Sequence, residues 1–91
     1  MPDDWIDPLA PEPPYRQIAE ILKRRILSGQ YPANSRIPTE SELVEAYEVA
    51  RTTARRAVGA LRDEGLVYTV PQRGTYVAQQ AGDRTGQAAE R

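Results

Sequence analysis

Apolar positions first recur at three- and four-residue spacing in Ile18, Ile21, Leu22 and Ile26. This period predicts a helix introduced by Pro14 and Tyr15, running to about Ser28 and closed by a left-handed Gly29. Its other face carries Arg16, Lys23 and Arg24. Gln30 to Pro38 is polar and holds two prolines, so it reads as a loop. Thr39-Glu40-Ser41-Glu42 then has the reciprocal capping pattern: Thr39 accepts from the Glu42 amide and Glu42 reaches back. A short second helix starts there and ends near Tyr47. A turn through Glu48 and Val49 leads into a third helix from about Ala50 to Glu64, stopped by Gly65. On a helical wheel Ala50, Ala54, Ala57, Val58 and Leu61 share one stripe roughly 100° wide, the stripe that faces a core.

After Gly65 the period becomes extended. Leu66-Val67-Tyr68-Thr69-Val70 and Thr75-Tyr76-Val77-Ala78 flank Pro71-Gln72-Arg73-Gly74, which makes a β-hairpin. An isolated hairpin is marginal in water, so this one must pack on the helices. The expected fold is mainly α with a small β-hairpin, three helices followed by two strands, over residues 15–78. Residues 1–14 hold Pro2, Pro8, Pro11, Pro13 and Pro14, five of the eight prolines, and read as an extended arm. Trp5, Ile6 and Leu9 would let that arm cover its own domain or touch a second copy. Residues 79–91 are rich in Ala, Gln, Gly and charge, with almost nothing to bury, and read as a disordered tail.

Composition narrows the chemistry. A chain of 91 residues has room for one small domain. With no Cys and no His it has no disulfide, thiolate, zinc-cluster or imidazole-base chemistry, so neither a metal site, a cofactor nor an enzyme is expected. No apolar run approaches the roughly 20 residues of a membrane span, and Met1-Pro2-Asp3-Asp4 does not begin a signal peptide, so the expected location is the cytoplasm. A net charge of −1 and a pI near 5.4 argue at first against a nucleic-acid partner. The charge is segregated, however. Asp3, Asp4, Asp7 and Glu12 stand without a base at the start, whereas Arg51, Arg55, Arg56, Arg62 and Arg73 face only Asp63 and Glu64 in residues 51–73.

The wheel gathers Arg51, Thr52, Arg55, Gly59 and Arg62 opposite the core stripe, with Arg56 at the margin. Arg forks bind guanine O6 and N7 in a major groove or clamp a phosphate, and the second helix of a helix-turn-helix reads bases with its N-terminal residues. Arg51, Thr52, Thr53 and Arg55 occupy that end. Taken alone, a basic helix face is most often merely solvated. The capped helix before it and an Arg73-Gly74 hairpin tip, able to enter a minor groove, tilt the balance toward DNA. Arg36 and Thr39, ahead of the second helix, complete the candidate contacts. Glu40, Glu42, Glu45 and Glu48 must then turn away from the duplex; the first two serve the helix start as favourable charges. The five tyrosines are expected in core or half-buried packing.

Tyr15-Arg16-Gln17-Ile18, Gly29, Pro38-Thr39-Glu40, Arg51-Thr52-Thr53, Leu61, Glu64-Gly65-Leu66-Val67 and Gly74-Thr75-Tyr76-Val77 together resemble the winged-helix DNA-binding domain of GntR-family bacterial transcription regulators. The likeness covers residues 15–78. It implies a winged helix-turn-helix that binds palindromic DNA operators as a dimer, third helix in the major groove and wing tip in the minor groove. By position, Arg51 and Arg55 match base- or phosphate-reading arginines, Thr52 and Thr53 backbone contacts, and Gly74 the wing glycine. Four positions depart from the family pattern: Ser41 stands where Arg is usual, Glu48 and Ala50 where Gly and Ser are common, and Gln72 where a first wing glycine is usual.

The resulting expectation is a transcription regulator that represses by occupying an operator in the nucleoid, as a homodimer at least on DNA. The alternative is a winged-helix protein-interaction module using the apolar arm and the acidic second helix. Family members append a C-terminal sensing domain; residues 79–91 are too few and too polar for one, so no small-molecule effector is expected on this chain.

Overall fold

The computed structural model describes residues 5–79. Three helices, α1 (Pro14–Leu27), α2 (Glu40–Tyr47) and α3 (Arg51–Asp63), precede an antiparallel hairpin of β1 (Val67–Val70) and β2 (Gly74–Val77). This is the winged helix-turn-helix arrangement. Of the tail read on residues 79–91, residues 80–91 lie outside the described part, as do residues 1–4 of the arm.

The apolar periods become one core. Ile18, Leu22 and Ile26 of α1 meet Ala54, Ala57, Val58 and Leu61 of α3, and α2 adds buried Leu43 with half-buried Val44 and Tyr47 against it. Ala54 and Ala57, both fully buried, let the two longer helices approach closely. Ala50 does not join this stripe. It is exposed at the N-cap, ahead of the first helical turn, with no side-chain cap bond. At the other end of α3 the Leu66 and Gly65 amides donate back to the Leu61 and Arg62 carbonyls at 3.0 and 2.9 Å. Gly65 takes the φ of +77° that this reversal requires, and Leu66 packs beside Leu61 with neither exposed. Lys23 and Glu64 pair at 2.9 Å and tie α1 to the same corner.

In the hairpin Val67 pairs with Val77 on the core face, while Tyr68 and Tyr76 stand opposite each other on the outer face, rings 5.9 Å apart and 21° from parallel. Tyr68 is thus exposed rather than packed inward, since the strand period puts it one residue from buried Val67.

Two segments differ from expectation. Residues 34–37, read as plain loop, run beside β2. The Asn34 and Ile37 amides donate to the Val77 and Thr75 carbonyls at 2.8 and 2.9 Å, and the Val77 amide donates to Ser35 at 2.8 Å. Ile37, buried to 1%, pins this stretch to the core. The arm is not simply extended. Asp7 Oδ1 accepts from the Leu9 amide across Pro8, and the Gln17 side chain accepts from the Asp7 amide and donates to the Asp7 and Glu12 carbonyls, all within 3.0 Å. The arm is thereby folded into a turn against α1, with Ile6 on the core and Leu9 left exposed.

Candidate functional site

The N-terminus of α3 is aimed by the turn before it. Thr39 and Glu42 make the reciprocal cap that starts α2, at 2.8 and 3.1 Å. Glu48 ends α2 in the left-handed region, φ 54° and ψ 51°, and reverses the chain within two residues. Arg51 therefore opens α3 beside the start of α2, and Arg55 follows one turn later on the same side. Both are exposed.

Glu40 lies between these arginines. Its carboxylate oxygens stand 3.6 Å from Arg51 Nη1 and 3.5 Å from Arg55 Nε, while Arg51 Nη2 donates to Ser41 Oγ at 3.0 Å. Glu42 is in the cap and Glu45 and Glu48 are exposed, but Glu40 does not turn away from the basic face as the DNA reading had required. The reason is local: position 40 is the first residue of α2, directly opposite the first turn of α3. These contacts are longer than the 2.7–2.9 Å typical of a charge-assisted bond, and the arginine side chains are more than half exposed. Such pairs hold direction at little energetic cost to break, about 0.2–1 kcal/mol.

The hairpin tip supplies the second part. Arg73 N–H donates to the Val70 carbonyl at 3.0 Å, and Pro71 followed by Gln72 at φ 64° gives the signature of a type II turn. Gln72 thus adopts a conformation that glycine would adopt freely. Arg73 projects exposed, and Gly74 at φ 135° lies against the aliphatic stem of Arg36, whose Cδ is 2.9 Å from where a Cβ would be.

The two parts meet. A cleft of about 320 Å³ is lined by Thr39, Glu40 and Arg51 from the helical side and by Arg73 and Gly74 from the hairpin. Thr52 is exposed and Thr53 half-buried beside it on α3. The Thr39 hydroxyl accepts within its cap, and its own proton remains available to donate. Two expected contacts are placed elsewhere. Arg56 stacks on Tyr15 of α1, 4.2 Å from the ring centre, because its position follows the α1-facing margin of the stripe. Arg62 donates to Thr69 Oγ1 at 2.8 Å and braces α3 against β1. Glu40 had been expected to face away and Ser41 stood only as a departure from the family pattern; what sequence reasoning missed is their contact with Arg51, and that of Glu40 with Arg55.

A pair of guanidinium forks, donor hydroxyls and a cationic tip across one cleft suit a groove flanked by phosphates. Among the described residues no three metal-ligating side chains cluster, and no helix is long and apolar enough to cross a membrane.

The family model for bacterial regulatory proteins of the gntR family matches residues 14–77. The histidine utilization repressor of Klebsiella aerogenes is 38% identical over 80% of this chain, and the HTH-type transcriptional repressor NagR of Bacillus subtilis is 38% identical over 81%. The chain spans 30% of the length of each. Among solved structures, the DNA-binding domain of AraR in complex with operator ORX1 is similar with a TM-score of 0.74 at 39% identity. That match covers 80% of this chain and 90% of the AraR chain. A GntR-family transcriptional regulator from Listeria monocytogenes gives a TM-score of 0.78 at 26% identity, over 93% of this chain and 75% of that one.

Proposed function

The chain belongs to the GntR family of bacterial regulatory proteins, and on that premise we propose that it is a sequence-specific DNA-binding repressor acting in the cytoplasm. Two copies bind a palindromic operator, each with α3 in the major groove and the hairpin tip in the flanking minor groove, and block transcription by occupancy. The observation that carries this is the shared cleft: Arg51 at the head of α3 and Arg73 at the wing tip open onto one side of the molecule. The AraR complex with its operator supports the same use of a matching domain.

In this reading Arg51 and Arg55 address base edges or adjacent phosphates, Thr39, Thr52 and Thr53 hold the backbone, and Arg73 with Gly74 enters the minor groove. Arg36 sets the wing by packing on Gly74. Arg62 positions the wing through Thr69, and Arg56 contributes through α1. A single module of this size buries about 600–1,000 Å² of its own surface on DNA, too little for selectivity alone, which is why the operator should be read twice.

Selection of bound duplexes from a random pool tests the proposal. A palindrome should emerge, with half-sites spaced for two copies. With about 3–5 phosphate contacts per copy, log affinity should fall against log salt with a slope of roughly −5 to −9 for the pair. Arg51→Ala with Arg55→Ala should abolish retention while leaving thermal melting almost unchanged, because neither side chain belongs to the core. A slope near zero, or no duplex retained, overturns the proposal.

A further inference from the structure

A carboxylate on a surface meant for a polyanion demands a physical reason. Glu40 is not needed to start α2, since the reciprocal cap is made by Thr39 and Glu42, and Glu42 already supplies an acidic group to the first turn. It is not buried, its side chain being 32% exposed. What distinguishes it is that each carboxylate oxygen faces a different arginine, Arg51 at 3.6 Å and Arg55 at 3.5 Å. Arg51 is held from a second direction by Ser41 Oγ at 3.0 Å. The three charged groups sum to +1 instead of the +2 that the arginines alone would show to a phosphate.

Two consequences follow from elementary electrostatics. The first concerns arbitrary duplex, where attraction is to phosphate and nothing else. To settle on phosphates the arginines must leave Glu40, and the bare carboxylate then stands near the backbone and is repelled. The second concerns base edges. Guanine O6 and N7 accept from an arginine fork without bringing a phosphate to the carboxylate, and cytosine N4 offers it a donor. Glu40 therefore penalises the sequence-independent mode more than the sequence-dependent one. Selectivity is a difference of affinities, and a repulsive element aimed at the wrong mode raises it.

We propose that Glu40 is a positioning and specificity-determining residue of the DNA-reading surface, holding Arg51 and Arg55 in register and keeping them off the phosphates of non-operator DNA. This rests on the DNA-binding reading above. The test uses the full chain, wild type and Glu40→Gln, against the duplex selected from the random pool and a scrambled duplex of equal length and composition, over a salt series. One added phosphate contact steepens the log–log slope by about 0.9, a factor of about eight in affinity at about 0.1 M salt relative to 1 M.

Glu40→Gln should therefore bind scrambled duplex about eightfold more tightly with a slope steeper by about one unit, while affinity for the selected duplex falls or gains no more than about twofold, its arginines having lost their register. The ratio between the two duplexes should fall at least about fourfold. Glu40→Asp, which keeps the charge on a shorter reach, should preserve the wild-type slope and lose part of the ratio. A ratio equal to wild type in Glu40→Gln, however much both affinities move together, overturns the inference. If Glu40→Gln fails to fold, a wild-type ratio in Glu40→Asp does the same. Failure of the underlying reading looks different: the wild-type chain would then retain no duplex, or hold selected and scrambled DNA alike.

Discussion

Gly74 carries a heavier local constraint than its size suggests. At φ 135° any side chain is strained, and a Cβ would meet the Arg36 stem at 2.9 Å. Gly74→Ala should lose about 1–3 kcal/mol in urea unfolding, with a displaced tip and weaker duplex binding. Thr39 acts through its hydroxyl in the cap of α2. Thr39→Ala should cost about 0.5–2 kcal/mol, whereas Thr39→Ser should restore most of it, by the same unfolding measurement. Arg56 separates packing from recognition. Stacked on Tyr15, it should on replacement by Ala lower stability by about 0.5–1 kcal/mol and reduce duplex affinity far less than Arg55→Ala. The helical period had placed Arg56 only at the margin of the basic face. It could not reveal Tyr15, which reaches it from another helix, nor the approach of Glu40, which depends on how a two-residue turn aims α3.

Among elements, the junction between α2 and α3 is the least optimised. Glu48 occupies a left-handed conformation that costs an L residue about 1–2 kcal/mol, and Ala50 leaves the α3 N-terminus without a side-chain cap. Glycine at 48 relieves the strain but adds about 0.5–1 kcal/mol of backbone entropy to the unfolded state, so a modest net gain remains. Serine at 50 supplies the missing acceptor, worth about 0.5–2 kcal/mol. Glu48→Gly with Ala50→Ser should therefore raise the melting temperature, measured by circular dichroism, without altering which duplex is preferred. The three helices and the hairpin were legible because each carries its own period and its own stop signal, such as Thr39 with Glu42 or Gly65. The 34–37 stretch was not. It pairs with β2 through backbone groups, its one buried apolar side chain is Ile37, and a lone anchor makes no alternation to read.

At the scale of the molecule, stability rests on a small apolar centre with no buried polar or charged residue among those described. Leu61, fully buried between α1 and the strand entrance, is central to it. Leu61→Ala should cost about 2–5 kcal/mol, a large part of the roughly 5–10 kcal/mol expected for a domain of this size. Loss of the cooperative unfolding transition at 37 °C in calorimetry would be the sign. The segregation of charge was visible in the sequence and survives folding in the basic cleft between α3 and the hairpin tip. The net charge of −1 gave no hint of it. The pairing of residues 34–37 along the far side of β2 has one more consequence. With neighbours on both flanks, β2 presents no open border to another chain; among the described residues the outer borders belong to the four-residue β1 and the equally short 34–37 stretch. Growth of fibrils by strand addition thus finds little template here.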